Sequence, residues 1–331
     1  MNKKILITGG AGFIAYHLAR RLEIEGHQIY LVDNFSRGVL DSELVSISKL
    51  KNIKILNIDC RDKKQFNDID FSPEIIFHLA AIVGVKNVSE KPYNVLVDNL
   101  SMLENTISFA KNLNKFERLL FSSTSEVYAG TLENFNLIIP TKENSPLTVT
   151  ELSRPRTSYM LSKIYGEAIC HHSGLPFTIF RPHNVYGPRM GMSHVIPQQL
   201  YKAFQAKNGE SIEVPSGNQT RSFCYIDDAI EILFRMMNNN FCKGKTLNLG
   251  AEKDEIKISD VVKMCWNINN KKILPIYLPS TEGSPERRVP NMTETLKILG
   301  NINYTSLEDG IAYTYDWYLK NIFNSSIVGA F

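Results

Sequence analysis

A phenol and an ammonium four residues apart, in Tyr159-Met-Leu-Ser-Lys163, have types and spacing suited to proton transfer. On a helix that spacing puts both on one face. A free tyrosine loses its proton only near pH ~10, so a phenolate base needs a nearby cation and hydroxyl donors; Lys163 supplies the charge. Alone, the pair is common on any amphipathic helix that carries a tyrosine. Its weight comes from Ser122-Ser123-Thr124-Ser125-Glu126, a strand end that should open into the same cleft and present Thr124 to a reacting hydroxyl.

A second constellation binds rather than reacts. Gly10-x-Gly12-x-x-Ala15, within Thr8-Gly9-Gly10-Ala11-Gly12-Phe13-Ile14-Ala15, follows an apolar strand and opens a helix. Gly9 and Gly12 permit a tight turn and let a pyrophosphate reach backbone N–H groups, while the helix start contributes roughly half a positive charge. Ala15 is small enough for helix and strand to lie close. Asp33 closes the second strand about twenty residues on, where a carboxylate accepts from an adenosine ribose hydroxyl and repels a 2′-phosphate. That favours NAD over NADP. A glycine turn with no ligand is the plain alternative. Arg37 would soften the preference if it met a 2′-phosphate, although an exposed loop arginine is the simpler reading. Asp59 is placed either at the adenine amino group or as the cap of a helix beginning near Asp62.

The elements that must position these residues alternate short apolar runs with helix-period segments, the signature of βαβ units and a parallel sheet. Strands are expected over Lys4 to Thr8, Gln28 to Asp33, Ile53 to Asp59, Glu74 to Leu79, Arg118 to Ser123 and Phe177 to Arg181, with Lys245 to Gly250 rejoining the sheet. Helices are expected from Ile14 to Leu22, about Tyr93 to Leu113, and Tyr159 to His172. The fold class is therefore α/β: a Rossmann-type doubly wound parallel sheet with a smaller, mixed α/β substrate-binding lobe. Residues 1–182, with 245–250, form the expected NAD domain, and 183–331, where Pro and Gly loosen the pattern, the expected lobe.

Bulk properties narrow the class further. The 331 residues carry a net charge of only +3, with Lys and Arg dispersed, so neither a nucleic-acid nor a membrane-surface footprint is present. No run approaches the ~20 apolar residues of a membrane span. Five scattered cysteines, with no C-x-x-C pair, fit reduced thiols in a cytoplasmic protein better than a metal site. His171-His172 have no third ligand and are read as structural.

Taken together, Thr8 to Ala15, Asp33, His78-Leu79-Ala80-Ala81, Asn99, Ser122 to Tyr128, Tyr159 with Lys163, Arg181 to Pro188 and Arg221 to Asp228 resemble the extended short-chain dehydrogenase/reductase family, and within it the nucleotide-sugar epimerases, dehydratases and decarboxylases. The resemblance covers nearly the whole chain. Ala15 departs from the family's usual glycine at little cost. The resemblance implies bound NAD, held by Gly9, Gly12, Phe13, Ile14, Asp33, Asn34, Asp59, Cys60, Leu79, Ala80, Ala81, Asn99, Tyr159 and Lys163. It implies a nucleotide-diphosphate sugar contacted by Val83, Asn184, Val195, Arg221 and Arg288. Arg221 and Arg288 stand where the family places phosphate-binding arginines; surface arginines are the alternative. Tyr159 would take the proton of the sugar 4-hydroxyl while hydride leaves C4, with Thr124 orienting the hydroxyl. The resemblance further implies a homodimer paired through two long helices and a place in surface-polysaccharide synthesis.

The fate of the resulting 4-keto sugar depends on residues beside Thr124. Glu126 can take a proton alpha to the ketone in a dehydration, or help a sugar carboxylate leave. The Thr124-Ser125-Glu126 triplet resembles that of nucleotide-sugar decarboxylases and guanosine-linked mannose dehydratases. Arg154-Pro155-Arg156-x-x-Tyr159 and Arg288 resemble uridine-linked glucuronate decarboxylases. Epimerase/dehydratase chemistry is the broadest expectation; glucuronate-type decarboxylation, a 4-dehydrogenase that releases its ketone, and a silent NAD-binding regulator are the alternatives.

Overall fold

Runs such as Lys4-Ile-Leu-Ile-Thr8 and Arg118-Leu-Leu-Phe-Ser122 are apolar on both faces, so they bury only in the middle of a sheet covered on both sides. The computed structural model describes residues 2–215, 217–269, 271–279 and 285–324. In it, β1 (Lys4–Thr8), β2 (Gln28–Asp33), β3 (Ile53–Asn57), β4 (Ile75–His78), β5 (Arg118–Ser122), β6 (Phe177–Pro182) and β7 (Lys245–Leu249) form one parallel sheet in the order β7-β6-β5-β4-β1-β2-β3. The expected strands are all present. Four of them stop one or two residues short at their C-terminal ends, because the backbone turns there into the ligand-facing loops.

Two cores flank the sheet. Ile5, Ile7, Ile29 and Leu31 face α1 (Phe13–Ile24), and Leu6, Val32, Leu119 and Phe121 face α2 (Pro92–Lys111) and α3 (Pro155–His172). Pro155 opens α3, where its fixed φ suits the first helical turn. α3 therefore begins one turn earlier than the expected Tyr159. A Cβ on Gly166 would lie 2.5 Å from the Phe121 ring, so this glycine lets α3 sit hard against β5 and bring Lys163 to the strand end.

Strand order reverses between β1 and β4, the place where doubly wound sheets bind ligands at their carboxyl edge. Beyond β6 the chain covers this edge with α4 (Val195–Gln205) and short strand pairs, then returns through α5 (Ile226–Asn238) to β7. α5 shares the core of α1, and Arg21 lies 4.0 Å over the Phe234 ring. Arg287–Arg288 pairs in parallel with Thr220–Arg221, setting Arg288 level with Arg221.

Candidate active site

A cleft of about 960 Å³ runs along the carboxyl edge, at the upper end of the ~300–1,000 Å³ range of small-molecule sites. Gly9, Gly12, Phe13, Ile14, Asp33, Asn34, Asp59, Cys60, Leu79, Ala80, Ala81 and Val83 line one part, and Thr124, Ser125, Glu126, Asn184 and Arg288 another.

The cofactor loop is bare backbone. Gly9 has φ +70°, and a Cβ there would sit 2.9 Å from the Ala80 nitrogen; one on Gly12 would sit 3.1 Å from the Gly9 oxygen. Gly12 caps α1 without a side-chain hydrogen bond, and the first turn holds no acid, so its free N–H groups remain for an anion. These features fit the pyrophosphate of NAD. Asp33 accepts from Ala11 N at 3.0 Å and Phe35 N at 2.8 Å, leaving about two of its roughly four acceptor sites for ribose hydroxyls.

Of the two readings of Asp59, the helix cap falls to Asp62, which accepts from Lys64 N and Gln65 N. Asp59 instead takes Asn34 Nδ2 at 2.9 Å and Arg61 Nη2 at 2.6 Å, and the Arg61 hydrogen bonds hold its carboxyl far below the usual carboxylate range. Cys60 offers a buried wall and a carbonyl already used by Asn105. Asn99 lies behind the cleft: its Oδ1 accepts from Ile82 N at 2.7 Å and its Nδ2 donates to Ser162 Oγ at 3.1 Å, tying the loop after β4 to α3.

At the reaction centre, Lys163 is 3% exposed and donates to the Ser122 carbonyl at 2.7 Å, with its Nζ 5.9 Å from the Tyr159 ring centroid. Burial lowers its ammonium to about 8. Burial, and then the charge of Glu126, push the Tyr159 phenol up to about 12, against the lowering effect of its hydrogen bond with Thr124 and of the Arg37 charge. Without ligands Tyr159 is therefore a neutral phenol. Thr124 is extended at φ −162° and accepts from Glu126 N at 3.2 Å, which starts the turn Ser125–Tyr128 and aims Glu126 into the cleft. Arg288 donates to Glu126 at 2.6 Å and Arg156 at 3.3 Å. Burial alone would raise this carboxyl, but Arg288 first and Arg156 next outweigh it and hold it below its ordinary value, so Glu126 is an anion at neutral pH.

Asn184 lines the cleft at φ +42°, with Nδ2 committed to the Ser222 carbonyl. The Val195 side chain packs on the core, which leaves its backbone at the start of α4 as its contribution. Arg221 is 7% exposed and donates to the carbonyls of Thr220 and Glu286 and to Gln219; it stands behind Arg288 rather than in the cleft wall. Two arginines had no sequence signal for their role. Arg61 pairs with Asp59 and Asp98, and the side chain of Arg189, 2% exposed, holds Asp41 from 148 residues away. Asp98 and Asp41 reach these arginines only in the folded chain.

Comparison with known proteins shows the family. The chain is 33% identical to a UDP-N-acetyl-alpha-D-glucosaminuronate decarboxylase of Bacillus cytotoxicus, over 96% of this chain and 98% of that one. It is 30% identical to UDP-glucuronic acid decarboxylase 1 of Danio rerio, over 97% of this chain and 74% of the other. An epimerase from Methanothermobacter thermautotrophicus superposes with a TM-score of 0.85 at 23% identity, over 97% of this chain and 93% of that one, and so shares the fold. Residues 5–250 match the NAD dependent epimerase/dehydratase family. The chain belongs to that family of the extended short-chain dehydrogenase/reductases, and it is an enzyme whose cofactor is NAD.

Proposed function

We propose that this enzyme oxidises C4 of a uridine-diphosphate-linked uronic acid and expels the sugar carboxylate as carbon dioxide. The observation that carries the reading is the Glu126 anion held between Arg288 and Arg156 beside Tyr159 and Thr124. Epimerisation at C4 needs only that a ketone turn over before hydride returns. A partly desolvated ion cluster is costly to maintain, and its retention at the reaction centre fits a substrate that brings its own charge there. Arg156 and Arg288 attract a uronate carboxylate, while Glu126 keeps it from being fully stabilised. Two of the relatives act, by name, on such acids.

The Gly9–Gly12 loop and Asp33 would hold NAD, which would supply a reversible acceptor for the C4 hydride. As a phenolate, the form that Lys163 and the positive charge of a bound nicotinamide would favour over the neutral phenol of the ligand-free site, Tyr159 accepts the proton of the 4-hydroxyl that Thr124 orients, and Lys163 holds the ribose beside the Ser122 carbonyl. The carboxylate is then β to a ketone. The C5–carboxyl bond breaks with its electron pair passing toward the ketone oxygen, and a solvent proton replaces it at C5. Ser125 and Val83 bound the sugar, Asn184 and the Val195 backbone meet the diphosphate, and Arg221 props Arg288. Residues 1–182, with 245–250, hold NAD, and 183–331 the nucleotide sugar; 325–331 lie outside the described residues. Exposed Tyr93, Val97 and Tyr165 on α2 and α3 support pairing of two copies. No described helix is long and apolar enough to cross a membrane. The five cysteines are free and buried, which supports a cytoplasmic place, and the family resemblance implies a role in making polysaccharide precursors.

The test is to incubate the protein with NAD and with UDP-glucuronate, its N-acetylglucosaminuronate counterpart or neutral UDP-hexoses, following product mass and the NADH band. The expected result is carbon dioxide loss from a uronate without net NADH. Unchanged mass with altered stereochemistry, loss of water, or a steady NADH rise would replace decarboxylation by epimerisation, dehydration or net 4-dehydrogenation.

A further inference from the structure

We infer that Arg37, carried on the cofactor side of the cleft, is a binding residue for the diphosphate of the sugar nucleotide; this rests on the nucleotide-sugar reading above. Arg37 sits in the strap 34–41 that follows β2. The strap is pinned at three points. Asp33 grips Ala11 N at 3.0 Å at its start; a Cβ on Gly38 would lie only 2.5 Å from the Ala11 Cβ, so strap and cofactor loop are in close contact; and Asp41 receives Arg189 Nε at 2.9 Å at its end. Between the pins, Arg37 turns away from Asp33, where the adenosine ribose belongs, and toward the far wall. Its Nη2 lies 3.8 Å from where a Gly191 Cβ would stand, and its charge is felt by both Tyr159 and His194.

Among the described residues Arg37 has no hydrogen-bond or ion-pair partner, although it lines a cleft whose other arginines, Arg61, Arg189 and Arg288, are all paired with carboxylates. Opposite it, α4 begins at Val195 with His194 as a cap residue that makes no side-chain hydrogen bond, leaving the N–H groups of Val195 and Ile196 open ahead of Pro197, which has none. Arg189 Nη1, buried and without a partner, lies in the same wall. A guanidinium facing an open helix start across a cleft matches an anion with oxygens on two sides, which is the form of a diphosphate. Its direction, toward the lobe and the reaction centre, selects the diphosphate of the substrate over the phosphates of the cofactor.

The experiment is calorimetric titration of the full chain and its Arg37→Ala and Arg37→Lys variants, each loaded with NAD, with UDP, GDP and UMP, and of the unloaded proteins with NAD and NADP. Arg37→Ala should weaken whichever nucleoside diphosphate the wild type holds by about 10- to 100-fold, and UMP less, with NAD affinity and melting temperature unchanged. Arg37→Lys should recover part of the loss. Diphosphate affinity within about twofold of wild type, or a loss confined to NADP, would overturn the inference. If the wild type binds UDP yet releases no carbon dioxide from any uronate, the decarboxylase reading fails while this one stands; if it binds neither diphosphate, this one fails.

Discussion

Arg288 reaches Glu126 at 2.6 Å across 162 residues of sequence. The two meet because Arg287–Arg288 adds in parallel to Thr220–Arg221, which carries Arg288 over the turn where Thr124 holds Glu126 N. The catalytic turn from β5 and the covering segments are thereby locked at one ion pair.

Replacing Glu126 by Gln keeps the side-chain shape and removes the anion from between Arg288 and Arg156. Turnover should fall about 100-fold, the loss of about 2.7 kcal/mol of electrostatic destabilisation of the bound carboxylate, while NAD affinity stays that of the wild type. Steady-state product analysis beside NAD titration checks this. A variant that only raises KM would demote Glu126 to substrate binding.

Lys163 links charge to stability. Its pKa is about 8 in the folded protein against an ordinary 10.5, so between these values the unfolded chain holds more protons and stability rises with pH. The burial penalty is fully present below about pH 8. Thermal melts of wild type and Lys163→Met from pH 7 to 10.5 should show the wild type gaining on the variant across that window, although the variant is inactive. Parallel curves would contradict the buried ammonium.

Arg189 and Asp41 tie the strap after β2 to the segment after β6. Asp41→Asn keeps the cap on Leu44 N but leaves a buried guanidinium with only Glu43, at 3.7 Å. We expect a loss of about 3 kcal/mol in denaturant unfolding, the low end for a broken buried pair, and recovery of most of it in the double variant Asp41→Asn/Arg189→Met. A double variant no better than the single would show that the pair's charge is not the issue.

Burial holds His78 and His183 at about 3 and His17 and His194 at about 4, against an ordinary 6.5. The unfolded chain takes up these protons first, so stability is lost as pH falls below about 6.5. His78→Asn should reduce the slope of stability against pH between 6.5 and 4 by about one proton. An unchanged slope would mean that His78 is charged in the fold.

The sheet was legible because burial on both faces demands continuous apolar runs, and the cofactor loop because only glycine permits its backbone approach; Lys4–Thr8 and Gln28–Asp33 fall where the sequence predicts them. Tyr159 and Lys163 were legible because four residues is a helical period. The partners of Glu126 and Asp41, and the direction of Arg37, were not. Each is fixed by where a loop crosses the cleft, and no local periodicity encodes that. Arg37 has the composition of an exposed loop residue and differs only in the direction its strap imposes.

The hydrogen at C4 reports on oxidation and decarboxylation together. A UDP-linked uronic acid carrying deuterium at C4 and a labelled carboxylate is turned over with NAD in ordinary water. Expected are labelled carbon dioxide, a product that retains the deuterium at C4, and no net NADH. Labelled carbon dioxide with the deuterium lost to solvent, or a product that keeps its carboxylate, would contradict this mechanism.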